Sequence, residues 1–391
     1  MQKEVRLRWL FLANLLNNAG AAFMWPLTTV YMHNYLKQSL TFSGIILFLM
    51  SLAMIAGNFI GGRLFDHWRP YYTALLGGGI STAILTTLIF WHSLWPYAIG
   101  LIIVGFGDGI SMTVVNAYAA TVTTRSNRYV FNMLYLALNV GVVIGTLLVG
   151  YLLELGINVV FMVATVCYLG LMTITLSTFN VTPTVRTEKA APQKRDVTPK
   201  NHRQLIWMIC LMIFTIYLSY ALWESILSVH MTNLGIPFRR YSEVWTINGL
   251  LIIVSQPIVA LFNERFKIGT QIGTQIGLGI TLFALSFLGL VFARQYVDFI
   301  IIMVVLTIGE VIGLPIAPAW VDDMAADDQR GKYQGRYNMA LSLGRAVGPL
   351  FGGMMVAQFS YSLLFITVTI LMLGSLALVL WRARREHLLN G

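Results

Sequence analysis

Apolar runs of about twenty residues recur along this chain of 391 residues. A helix rises about 1.5 Å per residue, so a run of this length crosses a hydrocarbon core about 30 Å thick. Only helices and closed barrels satisfy their backbone groups in lipid, and barrel strands would be short and alternating. Charged residues make up 11% of the chain and hydrophobic residues 57%, unlike soluble domains. The sequence therefore predicts an all-α membrane protein.

Twelve membrane-spanning helices are predicted, in two groups of six. The predicted spans are residues 8–32, 42–62, 71–92, 97–120, 130–153, 156–179, 204–231, 240–263, 270–292, 298–321, 332–357 and 360–382. The stretch between the groups is rich in Pro, Thr and Lys and lacks apolar periodicity, which is typical of a linker. We therefore predict an N-terminal six-helix bundle (1–179), a cytoplasmic linker (180–203) and a C-terminal six-helix bundle (204–391).

Lysine and arginine residues are distributed unequally between the two sides of this predicted topology. The side opposite the termini carries Lys37, Arg239, Arg240 and Arg294, whereas the termini, their loops and the linker carry most of the rest. Basic residues accumulate on the cytoplasmic side of membrane proteins, so we expect both termini and the linker in the cytoplasm. The net charge of +10 is then explained by topology and by contact with membrane phospholipids, and not by nucleic acid.

The two halves resemble each other in sequence. "VYMHN" (30–34) ends the first predicted span, and "VHMTN" (229–233) ends the seventh. "GDGISMTVVNAY" (107–118) can be aligned with "GEVIGLPIAPAW" (309–320), which pairs Asp108 with Glu310. Matches in the same order at offsets near 200 are typical of a duplicated unit. We therefore expect two pseudo-symmetric bundles around a central cavity.

Three acids and one base lie clearly inside predicted spans, whereas most other charged residues lie in loops or at span ends. They are Asp108, Glu224, Glu310 and Arg345. An ionised acid at mid-depth costs about 3 kcal/mol, so each must be paired, protonated or facing water. Burial favours the neutral form of a carboxyl group, which allows such a group to take up and release protons. One arginine cannot neutralise three acids. The structural alternative is a fixed ion pair between Arg345 and either Asp108 or Glu310.

The two six-helix halves, the basic linker and the cytoplasmic termini resemble the major facilitator superfamily. The loop "GRLFDHWRPYY" after the second span keeps the glycine, leucine and aspartate of the superfamily's Gly-x-Leu-x-Asp-Arg motif, and "FNERFKIG" is its counterpart in the second half. The resemblance implies that these loops latch one half to the other in one conformation. The residues to which it assigns this role are Gly62, Asp66, Arg69, Glu264 and Arg265.

Within the superfamily, the chain is similar to LmrP-like multidrug/proton antiporters. The similarity is carried by "LWESILSVHM" in span seven, "TIGEVIGLP" in span ten and "YLALN" in span five. It places Glu224 and Glu310 where that family has functional acids, with Leu134 in place of a third acid. The resemblance therefore implies proton coupling through Glu310 and Glu224, and the embedded Asp108 and Arg345 are added to them as candidates.

Spans one, four, seven and ten line the cavity in the superfamily. Here these spans carry amide, methionine and aromatic side chains at helical spacing, which suit a lipophilic cation through apolar and cation–π contact. Helix packing with interhelical hydrogen bonds is the alternative for each residue. The predicted substrate-binding residues are Asn14, Asn17, Trp25, Met112, Asn116, Tyr217, Tyr220, Trp223, Glu224 and Glu310.

These features favour a transporter over an enzyme, since we find no phosphate-binding loop, nucleophile–base set or metal-ligand spacing. His33, His92 and His230 fall near the outer ends of spans, where surface roles are expected. We expect a monomer that exports small amphipathic or cationic compounds by alternating access, driven by the proton gradient without a cofactor. The alternatives are a symporter or exporter of a defined sugar, peptide or metabolite, and a lipid flippase.

Overall fold

The computed structural model describes residues 4–181, 198–266, 272–326 and 329–386, without the side chains of 127–128 and 256–266. Over these residues the chain is helical and has no strand. The helices are α1 (Leu7–Ala22), α2 (Met24–Val30), α3 (Leu40–His67), α4 (Pro70–Phe90), α5 (Leu94–Ala120), α6 (Asn127–Leu155), α7 (Ile157–Thr178), α8 (Lys200–Glu224), α9 (Ile226–Asn233), α10 (Phe238–Phe266), α11 (Ile272–Leu290), α12 (Tyr296–Gly313), α13 (Ile316–Met324), α14 (Arg330–Gln358) and α15 (Tyr361–Arg385), with a π-helical turn at Tyr31–Tyr35.

Ten helical segments among the described residues are long and apolar enough to cross a membrane, with α12 and α13 counted as one. The first predicted span is divided into α1, α2 and the π-helical turn, and the eighth corresponds to α10. Most of the predicted linker lies outside the described residues. The prediction of an all-α membrane protein is confirmed.

Local sequence signals explain where several helices begin. α3, α6 and α15 follow Ser39, Ser126 and Ser360, whose hydroxyl oxygens accept a backbone N–H from three residues further on. This is the usual way to satisfy an otherwise unbonded helix donor. Gly156 separates α6 from α7 at a φ of 118°, a backbone conformation that favours glycine.

The contacts divide the chain into two compact units. The first unit comprises Met1–Glu188 and Pro237–Gly249, and the second comprises Lys189–Ile236 and Leu250–Gly391. α10 therefore begins in the first unit and ends in the second. Its beginning packs on α6, where Tyr151 donates a hydrogen bond of 3.2 Å to Glu243.

Glycine contacts show that the two units are built on the same scaffold. In the first unit, a β-carbon added to Gly145 on α6 would lie 2.5 Å from the carbonyl oxygen of Ala19 on α1. In the second unit, a β-carbon added to Gly348 on α14 would lie 2.5 Å from the carbonyl oxygen of Leu218 on α8. Close approach of these helix pairs therefore requires glycine at both equivalent positions.

A second pair of glycine contacts confirms the alignment of 107–118 with 309–320. A β-carbon on Gly107 would lie 2.9 Å from the carbonyl oxygen of Gly77, and one on Gly309 would lie 2.6 Å from that of Gly279. Both contacts follow an offset of about 202 residues. Asp108 and Glu310, each one residue further on, are therefore structural counterparts.

Candidate proton and substrate site

An ion pair joins the end of α8 to α14 in the second unit. Nη2 of Arg345 donates a hydrogen bond to Oε1 of Glu224, the last residue of α8. Gly344 and Gly348 flank Arg345 and let α14 approach the α8 backbone closely, which holds the guanidinium beside this carboxylate. The sequence offered Asp108 or Glu310 as partners for Arg345. The structure pairs it with Glu224, which sequence spacing alone did not single out.

Tyr220 connects this ion pair to Glu310. Its hydroxyl group donates to Oε1 of Glu310 at 3.4 Å, and Cζ of Arg345 lies 5.9 Å from the centre of its ring. Because Tyr220 precedes Glu224 by four residues on α8, the two side chains share one helix face. We call Tyr220, Glu224, Glu310 and Arg345 the acid cluster.

Aromatic rings adjoin the acid cluster. The ring of Tyr220 stacks on that of Phe283 from α11, with centroids 6.1 Å apart, and lies 6.0 Å from that of Tyr217. When both of its acids are ionised, the acid cluster carries one more negative than positive charge. A proton or an organic cation can offset that charge, and the aromatic faces favour the cation.

Asp108 is held inside the first unit by other partners. Its Oδ1 accepts hydrogen bonds from Nδ2 of Asn17 on α1 at 2.8 Å and from the hydroxyl group of Tyr168 on α7 at 3.1 Å. Only 6% of Asp108 is exposed. Asp108 is thus enclosed by α1, α5 and α7, and the expectation that it faces a central cavity together with Glu310 stays a prediction.

The predicted substrate residues divide into buried and accessible groups. Asn14 is buried and donates a hydrogen bond of 2.7 Å to the carbonyl oxygen of Leu134, so it fastens α1 to α6. Trp223 is buried as well, edge-on to Phe287 with ring centroids 6.4 Å apart. Together with Asn17 they are packing residues in this structure. The partly exposed members are Trp25, Met112, Asn116, Tyr217, Tyr220, Glu224 and Glu310.

The predicted latch residues of the first half lie in the last turns of α3 and in the short connection to α4. Gly62 and Asp66 line an open groove of about 580 Å³ at the end of α3. The guanidinium carbon of Arg69 lies 5.8 Å from the ring centre of Tyr72, beside this groove. Glu264 and Arg265 lie at the end of α10, in the part of that helix whose side chains are not described.

His230 is a buried residue that the sequence misplaced. It was expected at the surface, but only 8% of it is exposed. Its ring lies 4.2 Å from that of Tyr361 and 5.7 Å from that of Phe365, measured between centroids. The repeat alignment pointed to this burial, because it matches His230 to Tyr31. Tyr31 is buried as well, and its ring centroid lies 5.0 Å from that of Tyr97.

Comparison with known proteins identifies the family. Residues 10–279 and 209–390 match the family model described as Major Facilitator Superfamily. The chain belongs to the major facilitator superfamily. This superfamily protein is 34% identical to the uncharacterized MFS-type transporter YttB of Bacillus subtilis (strain 168), over 97% of this chain and 95% of that protein. It is 23% identical to the uncharacterized MFS-type transporter YhjO of the same strain, over 98% of this chain and 94% of that protein.

Solved structures with the same fold include peptide transporters. The in meso crystal structure of the POT family transporter PepTSo matches 97% of this chain and 98% of its own at a TM-score of 0.78, with 12% identity. Peptide transporter POT in complex with sulfate matches 98% of this chain and 96% of its own at a TM-score of 0.80, with 14% identity. These similarities show the fold, a two-domain helical bundle. The protein is therefore a multi-pass secondary transporter of the major facilitator superfamily.

Proposed function

We propose that this superfamily member exports amphipathic cations in exchange for protons, as the LmrP-like antiporters do. The observation that carries the proposal is the acid cluster, in which Tyr220 bonds to Glu310 and lies beside the ion pair of Glu224 with Arg345, next to further aromatic rings. The driving force is the proton gradient. The proposed setting is the cytoplasmic membrane of a bacterium, with a monomer whose two termini face the cytoplasm.

Charge complementarity favours Glu310 as the exchanging acid. The acid cluster holds two carboxyl groups and one guanidinium; Glu224 accepts a hydrogen bond from that guanidinium, and Glu310 accepts one from the phenol of Tyr220. An ionised acid at mid-depth in a membrane costs about 3 kcal/mol, so binding of a proton or of a cation offsets a cost at this site. A proton and a cationic substrate would then bind to Glu310 in alternation, and this mutual exclusion couples their movement.

The aromatic residues support selection of amphipathic cations. Tyr217 and Tyr220 are partly exposed at the acid cluster, with Phe283 buried against the ring of Tyr220, and each cation–π contact contributes about 0.5–2 kcal/mol. Rings give apolar contact without imposing a fixed hydrogen-bond pattern, so compounds of different shapes can bind. A sugar site would instead need several amide or carboxylate groups directed at hydroxyls.

Reconstitution in proteoliposomes tests the assignment of Glu310. Substrate-induced proton movement and the export of a cationic dye are measured for wild type and for Glu310→Gln, which mimics the protonated acid. We expect Glu310→Gln to lose dye-induced proton movement. Glu154→Gln is the matched control, because Glu154 is an exposed acid near Arg239 in the first unit. Normal, proton-coupled dye export by Glu310→Gln would show that another group carries the proton.

A substrate panel in the same vesicles separates the alternatives. Cationic dyes, dipeptides, sugars and a fluorescent phospholipid are compared for their ability to move protons or to cross the membrane. Broad response to cations supports the proposal. A response to dipeptides or sugars alone would favour a transporter of a defined nutrient, and movement of the lipid without any soluble compound would favour a flippase.

A further inference from the structure

The hydrogen bonds around Asp108 are distributed unevenly over its carboxyl group. Both donors, Nδ2 of Asn17 and the hydroxyl group of Tyr168, bond to Oδ1. Oδ1 of Asn17 is buried and has no hydrogen-bond partner among the described residues. Asn17 itself is only 2% exposed. A buried amide therefore donates to a buried carboxyl group while its own acceptor is unused, although buried polar atoms are nearly always bonded.

A protonated carboxyl group would complete this arrangement. A primary amide has an N–H donor and a carbonyl acceptor side by side, and a carboxylic acid has an acceptor and an O–H donor in the same geometry. The two groups therefore form a ring with two hydrogen bonds. A carboxylate has no donor, so its second oxygen would instead repel the amide oxygen. The unused acceptor on Asn17 is the group that a proton on Asp108 would bond.

Within the part of the chain that the structure describes, no cation bonds to Asp108. Among the described residues, the ionisable side chain in contact with Asp108 is that of Tyr168, which donates to Oδ1. The thiol of Cys167 belongs to the residue before Tyr168 in the sequence. The other helices that pack around this part of α5 contribute uncharged groups. These are Asn17 from α1, Met50 and Met54 from α3, and Gly77 and Ser81 from α4. A neutral carboxyl group fits such surroundings better than a charged one.

We propose that Asp108 is a proton-binding site inside the first unit, with the proton on Oδ2 donated to Oδ1 of Asn17. This acid–amide pair joins α5 to α1. When the proton leaves for water, Oδ2 becomes an acceptor that faces another acceptor, so the amide must turn or α1 must move away. Asn17 is a positioning residue that makes the α1–α5 contact depend on the proton. Proton binding at Asp108 is independent of the proposed function. A role for this proton in transport would rest on that function.

The repeat shows why this pair is confined to the first unit. The α1–α8 correspondence given by Ala19 and Leu218 matches Asn17 to Ile216, a fully buried apolar residue. Glu310, the counterpart of Asp108, therefore has no amide at the equivalent position on α8 and bonds to Tyr220 instead. The two units thus hold their acids by different chemistry on the same scaffold.

Infrared difference spectroscopy on the full chain in liposomes without substrate tests the proposal. Wild type at pH 7 is expected to show the C=O stretch of a protonated carboxylic acid that Asp108→Asn lacks. Asn17→Leu, or Asn17→Ser if the first variant does not assemble, should shift the frequency of that band by removing its amide partner. Tyr168→Phe should also shift the frequency of that band, because Oδ1 loses the hydrogen bond that Tyr168 donates.

Two results would overturn the proposal. One is a wild-type spectrum at pH 7 without any band sensitive to Asp108→Asn, which would mean that Asp108 is ionised. The other is a band whose frequency is the same in the Asn17 variants. All spectra are repeated in a Glu224→Gln/Glu310→Gln background to remove the acid cluster. The spectra are recorded without drug or proton gradient. A failure of drug export would therefore leave the Asp108 proposal intact, and a failure of the Asp108 proposal would leave the drug-export proposal intact.

Discussion

The glycine contacts that the two units share predict the same energetic penalty at two distant positions. A β-carbon on Gly145 or Gly348 would lie 2.5 Å from a carbonyl oxygen and 2.8 Å from a second carbon, Cβ of Ala22 or Ala221. Ordinary contact begins near 3.4 Å, so each helix pair would have to separate by about 0.9 Å. We therefore expect Gly145→Ala and Gly348→Ala each to destabilise the protein by about 1–3 kcal/mol, the usual cost of overpacking.

The control for this prediction is a glycine in open surroundings. A β-carbon on Gly374 in α15 meets nothing within 4 Å, so Gly374→Ala adds only the helix preference of alanine, about 1 kcal/mol in favour of folding. Unfolding in mixed micelles, followed by tryptophan fluorescence, measures all three variants. The reasoning is refuted if either buried glycine variant is as stable as Gly374→Ala, or if Gly145→Ala and Gly348→Ala differ by more than about 2 kcal/mol.

Two further predictions concern the second unit and use the same unfolding assay. Arg345→Gln should cost about 1–3 kcal/mol by leaving Glu224 without its guanidinium, a value reduced by solvent because 38% of the Arg345 side chain is exposed. Glu224→Gln/Arg345→Gln should recover most of that loss, and a double variant no more stable than the single one would contradict the ion-pair argument. His230→Phe should stabilise the protein by about 1 kcal/mol, since Nε2 of His230 is buried without a partner among the described residues. His230→Ala should destabilise the protein by about 2–3 kcal/mol, since it leaves a cavity. Loss of stability in both His230 variants would mean that the imidazole itself is required.

The fold class and the internal repeat were predictable because both depend on patterns that the sequence shows directly. Apolar length gave the helices, and the offset of 107–118 to 309–320 gave the correspondence of Asp108 with Glu310 that the glycine contacts confirm. The helix break after Ala22 has a signal that apolar length does not show. Pro26 has no N–H to donate to the carbonyl oxygen of Ala22, four residues earlier, and its ring crowds that carbonyl. The prediction of one continuous first span did not use this signal.

The partners of the embedded charges were harder to predict, because they depend on helix rotation. Arg345 and Glu224 are 121 residues apart, and their contact follows from the close packing of α14 on α8 through Gly344 and Gly348. The same limit applies to Asp108. Because Asp108 and Glu310 are counterparts in the repeat, the sequence suggested the same environment for both. The neighbouring helix, however, carries Asn17 beside Asp108 and Ile216 at the equivalent position of the second unit, so the two acids have different hydrogen-bond partners.

The position of Glu224 at the end of α8 has an electrostatic consequence of its own. α8 ends at this residue and a new helix begins at Ile226, so Glu224 lies at the carbonyl end of α8. The end of a helix carries about half a negative charge, which disfavours a second negative charge nearby. Arg345 therefore compensates the helix dipole as well as the side chain. Any movement of α14 that withdraws the guanidinium would expose both at once and give α8 a strong tendency to capture another cation at that end.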